Sequence, residues 1–265
     1  MPDDFDYSLP RKAGIRRTVE QPIITMLMIV LSVLITAAFL TSSDMKGTAW
    51  YAIGNGGVAT IFQVWEGKYW ALITCTFVHA NFVHIFFNMY WMWHLGRAIE
   101  TAINPLAYIG FIVASAAVGS GVEIFVSGQT GIGMSGVVYA LFGLMWAGRG
   151  AFPSWRGLAN SQNLNMFIGW GVLCIVTTYL GIMNIANGAH AGGFVFGLCV
   201  GYIWYAPRKR PVMIIPLVML SIMTVLAATW MPWSTEWKAW KYLSSQHIDV
   251  TAPTGSSTPD SGEQH

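Results

Sequence analysis

Residues 189–205, AHAGGFVFGLCVGYIWY, decide the fold. The run is almost wholly apolar, carries one histidine, His190, at its second position, and repeats a small residue every four at Ala189, Gly193, Gly197 and Gly201. On a helix that repeat draws one stripe along which a neighbouring backbone can make contact. A matching stripe of nearly the same spacing, Gly136, Ala140, Gly143 and Ala147, follows Ser135 in Gly133-Met134-Ser135-Gly136. If both segments span a membrane with one span between them, they run in the same direction and bring Ser135 and His190 to similar depth.

The composition requires a membrane. The chain is 54% hydrophobic and 10% charged, against roughly one quarter charged residues in a soluble domain. A span needs about 20 predominantly apolar residues, and seven such runs are expected: Ile23–Leu40, Phe77–Leu95, Leu106–Val126, Met134–Ala147, Leu164–Met183, Ala189–Tyr205 and Val212–Trp230. The fourth is short. The first reads as a retained span, because it is longer than a signal-peptide core and lacks a convincing cleavage site.

Basic residues in short loops stay on the cytoplasmic side. With the N-terminus inside, ten fall inside (Arg11, Lys12, Arg16, Arg17, Arg97, Arg149, Arg156, Arg208, Lys209, Arg210) and four outside (Lys46, Lys68, Lys238, Lys241). The second, fourth and sixth spans then begin at the outer face, with Ser135 and His190 just below it. The net charge of +2 is split by this topology, and no nucleic-acid partner is expected. Cys75, Cys174 and Cys199 lack the paired spacing of a metal or redox site and read as packing residues. No cofactor or metal is expected.

The organisation follows. Residues 1–22 form a cytoplasmic tail, 23–210 a six-span core, 211–232 an additional span and 233–265 an interfacial segment with a disordered end. The long outer connection at 41–76 carries Trp50, Tyr51, Phe62, Trp65, Tyr69 and Trp70, so it is expected to fold onto the outer leaflet. Trp233, Trp237, Trp240 and Tyr242 point to an interfacial helix after the seventh span.

A hydroxyl becomes a nucleophile when a base takes its proton, which a neutral imidazole does near pH 7. Ser135 and His190 are the natural pair. Gly133 and Gly136 allow close backbone approach around the serine, where free amides at a helix start favour negative charge. The nearby acids, Glu100 on the inner side and Glu123 one loop away, do not supply a triad carboxylate, so a dyad is expected. Asn81, His84 and Asn88 share one helical face, with His79 rotated off it by about 140°; His84 and Asn88 facing Ser135 would stabilise an oxyanion. Tyr139, one turn after Ser135, would lie beside His190 and hold its ring. Each signal alone has a plain packing explanation, since glycine, serine and asparagine are common glue between membrane helices. Shared sidedness and depth set the combination apart.

These stretches, His79-x4-His84-x3-Asn88, Gly133-Met134-Ser135-Gly136-Val137-Val138-Tyr139-Ala140 and Ala186-Asn187-Gly188-Ala189-His190-Ala191-Gly192-Gly193, resemble the rhomboid intramembrane serine proteases across about residues 20–210. The resemblance implies an all-α membrane protein with a six-helix bundle, a water-filled cavity open to the outer side and a lateral gate beside the fifth helix, here with a C-terminal seventh span. It implies Ser135 as nucleophile, His190 as general base, and His84, Asn88 and the Ser135 amide as the oxyanion hole. Tyr139 would stack on the base, His79 would support the first outer loop, and Glu100 would be the family's acid at the inner end of the second span. Many members carry Trp-Arg in the first outer loop where this chain has Trp70-Ala71.

The expected reaction is cleavage of transmembrane proteins at locally unwound segments near the outer face of a bacterial inner membrane, because an intact helix hides its peptide bonds. A catalytically silent, client-binding relative would usually lack Ser135 or His190. A transporter built on His79, His84, His94 and His190 is disfavoured, since His94 lies about 22 Å along a helix from His79.

Overall fold

A computed structural model describes residues 21–246, all of its regular structure helical. In chain order the helices are α1 (Ile23–Thr41), α2 (Ala49–Asn55), α3 (Ile61–Trp65), α4 (Ala71–Thr74), α5 (Phe82–Trp91), α6 (Arg97–Glu100), α7 (Pro105–Ser127), α8 (Ser135–Gly148), α9 (Ser161–Tyr179), α10 (Asn187–Tyr205), α11 (Arg210–Thr229) and α12 (Thr235–Ser245). The tail expected over 1–22, apart from its last two residues, and the disordered end beyond residue 246 lie outside the described residues.

Three helical stretches, Ile23–Thr41, Pro105–Ser127 and Pro207–Thr229, are long and apolar enough to cross a membrane. The pair Ala71–Phe77 and Phe82–Glu100 makes a fourth if its 100° bend falls within one span, and Ser135–Gly148 is a shorter apolar helix. These helices fit a membrane bundle. Its exposed surface agrees: Leu27, Val30, Leu31 and Leu34 of α1 and Ile214, Ile215, Val218 and Met219 of α11 are open on the outside, the pattern expected where hydrocarbon is the solvent.

At the centre α8 and α10 touch backbone to backbone. A Cβ at Gly193 would collide with the carbonyl of Gly136, one at Gly197 with the carbonyl of Ala140, and one at Gly143 with the carbonyl of Phe194. Both stripes are therefore contact surfaces, and α8 is the most enclosed helix, with Leu141, Phe142, Leu144 and Met145 fully buried. On the other side of α10, Gly192 abuts Val122 of α7, while Gly121 of α7 abuts Thr224 of α11.

The second expected span needs correction. It does not begin at Phe77: a 3-10 turn covers Cys75–Phe77, the chain bends, and α5 starts at Phe82 with Asn81 as N-cap, its side chain accepting from the His84 amide at 2.9 Å. Asn81 thus leaves the polar face of the helix, and His79 precedes the helix altogether. A π-turn at Met92–Gly96 then carries the helix on to Glu100. Glu100, 1% exposed, accepts from the amides of Ile24 and Thr25, both at 2.8 Å, and from Thr25 Oγ1 at 2.7 Å. It satisfies the orphan donors that open α1.

The outer connection is ordered rather than a simple loop. Thr48 caps α2, and Thr60 with Gln63 forms a capping box on α3. Ala71 is buried at the start of α4 beside an exposed Trp70. After α11 the helix α12 forms, with Trp237 buried against Trp65 while Trp233 and Tyr242 are exposed. Cys75, Cys174 and Cys199 are free, buried thiols.

The helix contact gives a test. Gly197→Ala is expected to lower the stability of the detergent-solubilised protein by about 1–3 kcal/mol, as overpacking does. Gly110→Ala, where a Cβ meets open space, should change it by less than about 0.5 kcal/mol; thermal unfolding of the two variants decides.

Candidate active site

Ser135 is the first residue of α8, so its N–H has no intrahelical acceptor. The chain reaches it through residues 128–134, where Gly133 stands at φ +106°, a conformation that costs other residues strain. The Gly133 amide donates to the Cys75 carbonyl at 3.1 Å and the Met134 amide to His79 Nε2 at 3.3 Å.

His79 is fully buried, and its tautomer follows from its partners. Thr36 Oγ1 donates to the Phe77 carbonyl at 3.1 Å and lies 3.2 Å from His79 Nδ1. A hydroxyl has one hydrogen, so His79 Nδ1–H donates to Thr36, leaving Nε2 to accept from Met134. His79 therefore links α1 to the residue before Ser135.

His84 takes the opposite tautomer. Its Nδ1 accepts from the Ala80 amide at 3.4 Å, which puts the proton on Nε2. That edge faces Gly133, where a Cβ would stand 2.6 Å from Nε2, so Gly133 is required by space as well as by φ. Asn88, buried one turn along α5, gives one N–H to the His84 carbonyl at 2.9 Å and keeps a second.

His190 sits in the first turn of α10, 6% exposed, with Nε2 2.8 Å from Ser135 Oγ. Tyr139 stacks on its ring at 4.6 Å and 15°, and the Tyr139 hydroxyl donates to the Phe167 carbonyl of α9 at 2.8 Å. His190 Nδ1 is buried without a hydrogen-bond partner. The acid nearest in role, Glu123, does not turn to this nitrogen: Oε2 accepts from the amides of Gly188 and Ala189 at 2.7 and 3.2 Å. It caps the helix that carries His190, much as Glu100 caps α1.

The structure brings together Ser135 and Tyr139 of α8, His190 of α10, His84 of α5, and His79 and Gly133 of the segments before α5 and α8, with Gly136 beside Ser135 on α8 and Asn88 bonded to the His84 carbonyl on α5. Asn81 stays a cap, and His94 lies in the π-turn with its ring against Tyr90. Among the described residues no three His, Cys, Asp or Glu side chains gather as metal ligands. Glu123 and Thr36 are the functional partners that sequence reasoning missed, since each acts across a long separation with no local signature.

Ser135 Oγ and a buried imidazole thus meet inside an apolar helical bundle. The Rhomboid domain model matches residues 66–207, and the chain belongs to the rhomboid family. Rhomboid protease GlpG of Yersinia pestis (strain Pestoides F) is 30% identical over 181 residues, covering 68% of this chain. Rhomboid protease GlpG of Salmonella choleraesuis (strain SC-B67) is 32% identical over 180 residues. The matched stretch covers 62% of the length of each relative.

Glu123→Ala removes the acceptor of two half-buried amides at the start of α10. It is expected to cost about 1–2 kcal/mol, and Glu123→Gln less, because an amide oxygen still accepts. Unfolding midpoints of the two variants in one detergent check the order.

Proposed function

We propose that this protein is an intramembrane serine endopeptidase that cleaves membrane proteins in or near their transmembrane segments. One observation carries the reading: Ser135 Oγ lies 2.8 Å from His190 Nε2 in a family of rhomboid proteases. For the hydroxyl to donate, Nε2 must be unprotonated, so the neutral ring carries its hydrogen on Nδ1.

Ser135 Oγ attacks the scissile carbonyl carbon as its proton passes to His190 Nε2. The developing oxyanion is met by the Ser135 amide and by N–H groups of His84 and Asn88. His190 returns the proton to the leaving amine nitrogen as the C–N bond breaks, leaving an acyl-enzyme on Ser135. Water then attacks the acyl carbon as it gives a proton to His190 Nε2, and His190 passes that proton to Ser135 Oγ as the Oγ–acyl bond breaks, releasing the acid and restoring the serine. Tyr139 keeps the ring in plane for both transfers.

The substrate must unwind before its carbonyl is reachable, so segments with small residues and helix breakers are favoured. The topology that suits this chemistry is a six-span core over 23–210 and a seventh span over 211–232, with the N-terminus in the cytoplasm and the site toward the outer face of a bacterial inner membrane. Ten inner against four outer basic residues support that orientation.

Wild-type protein is expected to react with a fluorophosphonate probe and to cleave a model transmembrane substrate in liposomes. Ser135→Ala and His190→Ala should each lower cleavage by at least about a thousandfold. A folded wild type that neither labels nor cleaves, or an active Ser135→Ala variant, overturns the reading and favours client binding without cutting.

A further inference from the structure

The helices after the six-span core reach back to the far side of the site. Trp65, at the end of α3 in the outer connection, donates its indole N–H to the carbonyl of Ala227 near the end of α11, at 2.9 Å. Trp237 of α12 meets the Trp65 ring edge-on at 4.9 Å, and Trp240 lies 5.7 Å from it. Around them Val64, Ala227, Ala228 and Met231 are buried, forming a second core separate from the one around α8. Lys241 covers the outer side of both indoles at 5.6 and 5.1 Å.

This core is joined to the segment before the nucleophile at two points. Ala59, two residues before α3, accepts a hydrogen bond from Thr130 Oγ1 at 2.9 Å. Gly128, the left-handed C-cap where that segment begins, lies under the carboxylate of Glu236 on α12, so closely that a Cβ would stand 2.9 Å from Oε2. Ser234 donates to the same carboxylate at 2.7 Å and caps α12 through the Trp237 amide at 3.1 Å, which fixes Glu236 in place. Both ends of the indole contact therefore bear on residues 128–130, within seven residues of Ser135.

We propose that α11 and α12 position the nucleophile, with Trp237 seated on Trp65 as the brace that holds residues 128–134. Trp237 is a positioning residue: it touches no reacting atom and acts through Trp65, Ala59 and Thr130. The segment it holds carries Gly133, which sets the space for His84, and Met134, whose amide engages His79. A loosened brace misplaces Ser135 relative to His190 without altering how a substrate helix first meets the protein. The inference rests on the protease reading for its kinetics and on geometry alone for its exchange.

The test uses the full chain in liposomes, with Trp237→Ala, Trp237→Phe and Thr130→Val. Amide hydrogen exchange across 129–134 is expected to speed up in Trp237→Ala and Thr130→Val and to return toward wild type in Trp237→Phe, which keeps an aromatic on Trp65. For a model transmembrane substrate, kcat should fall about tenfold in Trp237→Ala with KM within about twofold, since small misplacements act on the chemical step. The double variant should be little worse than the weaker single one, because the two changes break one path. Unchanged exchange at 129–134 in Trp237→Ala overturns the brace whether or not the protein cleaves. So does an unchanged kcat accompanied only by a lower unfolding temperature. A wild type that cleaves nothing while Trp237→Ala still loosens 129–134 removes the protease reading and leaves the brace standing.

Discussion

The contact of α8 with α10 through bare backbone is the constraint on which the site depends. Interdigitated side chains would keep the axes about 8–10 Å apart; here Gly193 and Gly197 bring α10 onto the carbonyls of Gly136 and Ala140. Lipid offers no hydrophobic drive for helices to associate, so close van der Waals packing must supply the attraction. It also fixes a register. Gly136 follows Ser135 and Gly193 lies three residues after His190, so the pair that seats the helices also sets the 2.8 Å separation of hydroxyl and imidazole. Structure and chemistry share the same residues.

A second constraint comes from helix ends. A helix start inside an apolar bundle leaves several N–H groups without water, and each unsatisfied one is costly. Two buried glutamates answer this, Glu100 at α1 and Glu123 at α10, each accepting from two successive backbone amides of the helix it caps. The helix dipole favours the charge they carry. At α8 the N-cap Met134 makes no side-chain cap hydrogen bond, so the start of α8 differs from that of α10 in carrying no carboxylate cap.

Much of this arrangement was legible in the sequence because it depends on helical geometry. Small residues every four positions, a serine at one helix start and a histidine at another, and an intervening span are all local patterns, and they led to the α8–α10 pair and the Ser135–His190 approach. Tyr139 followed from one turn of spacing. Asn81 did not, because an asparagine at a helix start and one on its face look alike until the start is known. Glu123 and Trp65 were illegible for another reason: their partners, Gly188 and Ala227, are backbone groups far along the chain, and no residue type announces them. The span count is likewise ambiguous from hydropathy, because α8 has 14 residues and the glycines that let α10 pack on α8 dilute its apolar signal.

The close approach of Ser135 and His190 places unusual demands on this packing. In a triad an acid holds the imidazole by its second nitrogen and stabilises the cation that forms. Here no carboxylate among the described residues bonds His190 Nδ1; the ring is held by the Tyr139 stack and by Ser135 Oγ at Nε2, and Tyr139 by its hydroxyl on Phe167 of α9. The serine is held no more directly, through Gly133 on Cys75 and Met134 on His79. Each member of the pair is positioned by neighbours that are themselves positioned by other helices. Geometry that a carboxylate would enforce locally is instead distributed over α1, α9 and the segment before α5. An arrangement of that kind tolerates few changes in packing, and it links elements far from Ser135, α11 and α12 among them, to the segment that carries it through Trp65, Ala59, Thr130 and Gly128.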